Sequence, residues 1–212
     1  MLKILKILTI ASFLFSISAL SYLIAKTFSF GKKVFYSRAR GNPVKGIVYS
    51  LGKGMLPWEK ESAYKNLIVY FTGILFHSGI FSAFVFLFLK IFEFEIPKIL
   101  LFIFQIFLLL GLLSGIGLLL RRVWNLYLRK ISIPDDFFSN LLVNGFLILS
   151  AITIFNPSLS SFLYLYSILL LIYIPFGKIR HCFFFFYSKI LSGIFFGRRG
   201  VFEKRRFVEL EQ

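Results

Sequence analysis

Only two residues of this 212-residue chain combine a ligating side chain with a setting that calls for a cofactor: His77 and His181. His77 lies inside the uncharged run Leu67 to Leu89, LIVYFTGILFHSGIFSAFVFLFL, and His181 lies in IYIPFGKIRHCFFFFY. An ionisable side chain at membrane depth costs a few kcal/mol unless it faces protein or a cofactor, which makes each histidine a functional candidate. Two imidazoles on separate membrane segments suggest the two axial ligands of one b-type haem. Helical side chains lean back over the preceding turn, so a macrocycle against a ligating histidine needs room at i−4. Gly73 and Gly177 occupy those positions. For either histidine alone, a polar bond across helices is an equally good reading; the pairing tips the balance to haem.

Other chemistries lack their residues. One cysteine, Cys182, excludes an internal disulfide, a Cys-ligated iron–sulfur cluster and a covalent CxxCH haem site. An apolar setting makes its thiol inert. There is no Ser/His/Asp set, no carboxylate array at metal spacing and no phosphate loop. Any haem is held non-covalently through nitrogen.

The elements that must carry these residues are membrane helices. The chain is 58% hydrophobic with 30 Phe, and its apolar runs are too long for a soluble core. The expected fold is an all-α integral membrane protein with five transmembrane helices, forming a single domain over 1–212. An uncleaved first helix covers residues 1–25. The basic connection 26–65 reads as a loop with one short interfacial helix, and Trp58 in MLPW as an interface anchor. The second helix carries His77 and ends at a short acidic turn around Glu93, Glu95 and Pro97. A third runs from about Lys98 to Leu120, with a close-approach GxxxG step at Gly111 and Gly115. Pro134-Asp135-Asp136 opens the fourth, since proline suits a first turn and aspartates complement the positive helix end. The fifth runs from near Ser158 through Pro175 and His181 toward Lys189, before a basic tail over 190–212.

Charge orients these helices. Segments 26–65, 121–136 and 178–212 hold 21 of the 25 Lys and Arg. By the positive-inside rule the N-terminus is outside and the C-terminus inside, in a cell's inner (cytoplasmic) membrane. The net charge of +16 therefore reports topology and contact with the lipid bilayer, not nucleic acid. His77 is 12 residues in from Lys65, about 18 Å, and His181 eight in from Lys189, about 12 Å. Both then lie in the cytoplasmic half, where Arg121, Arg122, Lys178 and Arg180 could meet haem propionates.

The segments MLPWEKES, LFHSGIF, GLLSGIGLLLRR, PDDFFSNLL and PFGKIRH, spread over roughly 55–200, resemble the gamma (cytochrome b) subunit of respiratory nitrate reductase. They also resemble its relatives in sulfite-reduction-associated and heterodisulfide-reductase-like membrane complexes. The resemblance implies five helices with the N-terminus out. It also implies two haems, each held by one histidine from helix two and one from helix five. His77 and His181 match the inner pair, whereas the outer pair falls on Leu87 and Leu163. One haem b is therefore expected.

The function these expectations describe is electron transfer between the membrane quinone pool and a cytoplasmic iron–sulfur partner subunit, the chain being part of an oxidoreductase complex rather than a stand-alone enzyme. Whether quinone binds this chain stays open. The alternative is a structural membrane anchor without electron transfer. A small transporter or lipid-handling protein lacks support, because the helices hold no acid–base chain and show no repeat. Docking is expected chiefly at the tail, where GRRGVFEKRRFVEL mixes basic residues with Val201, Phe202, Phe207 and Val208.

Overall fold

The computed structural model describes residues 1–31 and 37–202. Lys32 and Lys33 of the basic connection, and residues 203–212 of the tail with Phe207 and Val208, lie outside the described residues. Among those described, all regular structure is helical: α1 (Leu2–Phe28), α2 (Pro43–Leu51), α3 (Glu61–Tyr64), α4 (Leu67–Ile91), α5 (Lys98–Trp124), α6 (Leu126–Lys130), α7 (Pro134–Phe155), α8 (Ser160–Tyr173) and α9 (His181–Arg198), with short 3-10 turns between. Five helices are long and apolar enough to cross a membrane: α1, α4, α5, α7 and the segment Lys178–Arg198. This is the build of a multi-pass membrane protein. Phe81, Val85, Phe88, Ile99, Phe102 and Leu113 stand exposed on these helices, an apolar surface that only lipid or protein would cover.

The expected fifth helix is not one helix. Pro175 has no N–H for the Leu171 carbonyl one turn earlier, so the ladder fails there. Residues 174–177 form a turn, α8 stops at Tyr173, and α9 starts at His181. The Leu171 carbonyl instead accepts a hydrogen bond from the Ser16 hydroxyl of α1. In lipid an unpaired carbonyl costs several kcal/mol, so such a break persists only with a substitute donor. Residues 190–198, read from sequence as the start of a polar tail, are the second half of α9.

The chain packs as two compact units. The first comprises Met1–Ala19 and Ile68–Ile179. Its core is built from Phe86, Leu87, Leu108, Phe146, Leu163 and Tyr164, all nearly inaccessible. Where α4 and α5 cross, a carbon added at Gly79 would lie 2.7 Å from the Gly111 Cα, so the backbones touch. Gly115 is covered by the Phe76 ring and the Asn144 amide. Of the GxxxG step, Gly111 thus serves the close backbone approach, with Gly79 as its partner, and Gly115 makes room for side chains.

Polar ties define the two ends of this unit. At one end Lys6 of α1 pairs with Glu93 in the α4–α5 turn at 2.5 Å, and Tyr164 of α8 donates to the Lys90 carbonyl at 3.1 Å. The Lys6 hydrogen bond and charge lower the Glu93 pKa. At the other end Asp136 of α7 receives Lys178 at 2.7 Å and Arg122 at 3.2 Å. Asp136 also accepts the Ile133 N–H at 2.9 Å, closing the first turn of α7 behind Pro134.

The second unit comprises Leu20–Leu67 and the chain from Arg180 onward. Asn42 caps α2 by accepting the Val44 N–H at 2.8 Å. Backbone meets backbone along α2 and α9: a carbon on Gly46 would lie 2.1 Å from the Gly193 carbonyl oxygen, and one on Gly193 2.6 Å from the Ile47 Cα. The Arg198 carbonyl accepts the N–H groups of Arg40 and Gly41 at 2.9 and 3.1 Å. Phe202 stacks on Tyr49 at 4.3 Å. Connection 26–65 therefore holds ordered helix, with α2 its main element, and Trp58 stands exposed in a 3-10 turn.

Candidate functional site

His77 sits on the exposed flank of α4, one turn beyond Gly73. Its Nδ1 lies 2.7 Å from the Gly73 carbonyl oxygen. A carbonyl only accepts, so Nδ1 carries the proton and the lone pair belongs to Nε2. Tying one ring nitrogen to a backbone carbonyl fixes tautomer and ring orientation, as is usual for an imidazole that ligates a metal through its other nitrogen. A carbon added at Gly73 would meet nothing within 4 Å, so the space that helical sequence logic assigns to a macrocycle is open.

His181 differs. It is the first residue of α9, exposed, and preceded by Arg180 at the helix N-cap. Gly177 lies in the non-helical turn, so it is not one helical turn below His181. Its vacant side is taken by Tyr173, whose Cζ would be 2.2 Å from an added carbon. That ring is held by its hydroxyl, which donates to Asp135 and lies 2.9 Å from the Ser139 hydroxyl. Gly177 makes room for a tyrosine, and the clearance assigned to it is corrected accordingly. The depth estimate for His181 loses its basis too, because it assumed an unbroken helix.

Arg121 and Arg122 end α5. Arg121 is exposed, whereas Arg122 bonds the Ser132 hydroxyl at 3.0 Å as well as Asp136. The Arg122 guanidinium, assigned to a propionate from sequence, is already engaged within the first unit. Lys178 shares that carboxylate, and its backbone N–H donates to Asp135 at 2.8 Å. The structure thus brings Gly73 to His77, and gathers Arg122, Lys178 and the Tyr173–Gly177 turn on the two aspartates. His181 and Arg180 belong to the second unit. Leu87 and Leu163, which the resemblance places at an outer haem, are packed core residues at 4% and 0% exposure.

Sequence reading missed the work of Asp135 and Asp136 beyond the helix start; an acidic pair opposite Lys178 and Arg122 in charge was the available signal. It also missed Asn144, 5% exposed on α7, whose amide donates to Asn140 at 2.6 Å.

Among the described residues no three His, Cys, Asp or Glu side chains cluster as a metal set. A protein-built centre of ordinary coordination therefore has no candidate there, whereas a porphyrin supplies four ligands and asks the protein for axial ones alone. The residues at His77 fit such a group by nitrogen chemistry, tautomer and open space; those at His181 fit by nitrogen chemistry but not by the glycine cradle. No protein-family model matches the chain, and no curated protein or solved structure matches it either.

Proposed function

We propose that this chain is the membrane cytochrome b subunit of an oxidoreductase complex, holding one haem b with His77 and His181 as axial ligands. The single observation that carries the reading is His77: an imidazole within an apolar membrane helix, its Nδ1–H fixed on the Gly73 carbonyl over an open turn. When bound, the haem supplies one-electron chemistry. The chain's own part is to fix the His77 ring, to keep water from the α4 face through its apolar neighbours, and to set the charge at the membrane edge with Arg121 and Arg180. In this reading the N-terminus is outside, the C-terminus is inside, and the membrane is the cytoplasmic one. Electrons pass between membrane quinone and a cytoplasmic iron–sulfur subunit, because the chain's one cysteine supplies no cluster.

The structural anchor is the second reading, and the Tyr173 ring at Gly177 favours it by removing one of the two clearances. Spectroscopy separates them. The purified chain should show a Soret band and about one haem by pyridine haemochrome, and His77→Ala and His181→Ala should each abolish the reduced-minus-oxidised b-type spectrum. Colourless, well-folded protein establishes the anchor, and a full spectrum in His77→Ala removes the assigned ligand.

A further inference from the structure

The second unit holds an apolar groove that the haem reading does not use. Ile24 of α1 and Cys182, Phe183, Phe186, Tyr187 and Ile190 of α9 line a cavity of about 340 Å³. The Thr27 and Tyr187 hydroxyls meet there at 2.5 Å, satisfying each other so that the lining stays apolar.

Lys189 flanks this groove and Lys60 lies near Lys189, and neither has a carboxylate partner among the described residues. Lys189 precedes the groove residue Ile190 and lies within a turn of Phe186, with its ammonium 5.9 Å from the Phe185 ring. Lys60 stands close to it: its pKa is lowered by burial first and then by the charge and proximity of Lys189. The acidic residues described in this unit are Glu59 and Glu61, and both are engaged. Glu59 takes Lys53 at 3.2 Å and the Tyr49 hydroxyl at 2.5 Å, and Glu61 takes Lys65 at 2.5 Å. Two neighbouring ammonium groups with no described carboxylate between them repel, and a shared anion relieves that repulsion.

We propose that the groove binds one anionic phospholipid, with an acyl chain along Phe183, Phe186 and Ile190 and its phosphate between Lys60 and Lys189. Charge complementarity selects this occupant: an apolar slot beside two cations with no carboxylate partner among the described residues matches a molecule with one acyl arm and one negative head. A zwitterionic lipid fills the slot without net charge for the lysines. A soluble phosphate meets the lysines without using the slot.

The test uses the full chain in an uncharged detergent, titrated with phosphatidylglycerol, phosphatidylcholine or glycerol phosphate. Cys182 is the chain's one cysteine and lines the groove; it is exposed rather than enclosed as its apolar sequence setting suggests, so its alkylation by excess maleimide reports occupancy in the unmutated protein. Phosphatidylglycerol should slow alkylation at far lower concentration than phosphatidylcholine, and glycerol phosphate should not slow it. The lysine contribution is about fivefold each near a headgroup, so Lys60→Gln with Lys189→Gln should weaken phosphatidylglycerol protection roughly thirtyfold and leave phosphatidylcholine unchanged. Equal protection by both lipids overturns the proposal, as does undiminished protection in the double variant. Glycerol phosphate binding as tightly as the lipid makes the site a plain phosphate site and overturns it too. If the double variant does not fold, the comparison among the three ligands on the unmutated chain still decides.

Discussion

A carbon added at Gly177 would collide with the Tyr173 ring, and one added at Gly73 would meet open space. Two glycines with the same offset from a histidine therefore answer to different constraints. Tyr173 is pinned by Asp135 and Ser139 and cannot swing aside, so Gly177→Ala should cost about 1–3 kcal/mol by overpacking, with or without haem. Gly73→Ala should instead stabilise the helix, by up to about 1 kcal/mol, since alanine is the better helix former and the added carbon meets nothing. Gly73→Leu tests the cofactor: a branched chain over the turn should lower haem occupancy to less than about half while leaving the thermal stability of the haem-free chain unchanged. Melting temperature and haem content measured on the three variants check this. Full haem in Gly73→Leu would return Gly73 to ordinary helix packing. The histidines themselves were legible in the sequence because ionisable groups are scarce in apolar runs. The asymmetry of their glycines was not, because it depends on Tyr173 occupying the space.

At the scale of elements, the decisive feature is the break between α8 and α9. The Leu171 carbonyl loses its partner to Pro175 and recovers one from Ser16, 155 residues earlier in the chain. Ser16→Ala should then destabilise the protein by about 1 kcal/mol, the usual worth of a membrane interhelical hydrogen bond. The cost should vanish in a Pro175→Ala background, where residue 175 regains an N–H that can serve the same carbonyl. Unfolding in detergent of the two single variants and the double variant measures the coupling, and an equal cost in both backgrounds would show that the hydroxyl does not serve that carbonyl. A helix start governed by local chemistry was readable: Pro134 opens α7, as the residue type dictates. The break at Pro175 was not, because proline is tolerated within membrane helices wherever a neighbour supplies the missing bond. Whether Ser16 would reach that carbonyl is a tertiary fact. The touching pair Gly79 and Gly111 was half visible in the same way: the GxxxG on α5 announces a close approach but does not name its partner.

At the scale of the molecule, the excess of positive charge says nothing of how the basic segments fold. Connection 26–65 reads as a basic loop, yet α2 within it lies backbone to backbone on α9 through Gly46, Gly193 and Gly197. No charge or hydropathy pattern encodes that contact; it needs small residues on two segments about 150 positions apart. The consequence falls on the tail. Docking of a cytoplasmic subunit was assigned to the basic, partly apolar run after Gly197, and Phe202 was counted among its contact residues. Phe202 instead stacks on Tyr49, and the Arg198 carbonyl holds Arg40 and Gly41. Deleting 198–212 would therefore remove part of the second unit together with any docking residues, and its loss of a partner would prove nothing about docking. Deleting 203–212 leaves the described packing whole while removing Lys204, Arg205, Arg206 and Phe207. In the proposed function, that shorter deletion should keep haem content at the level of the full chain but lose the cytoplasmic subunit on purification. The longer deletion should lower the melting temperature as well, since it strips the α2–α9 contact of its final ties. Co-purification of the partner at full yield with the 203–212 deletion would move the docking surface away from the tail, to the exposed basic residues of the 26–65 segment.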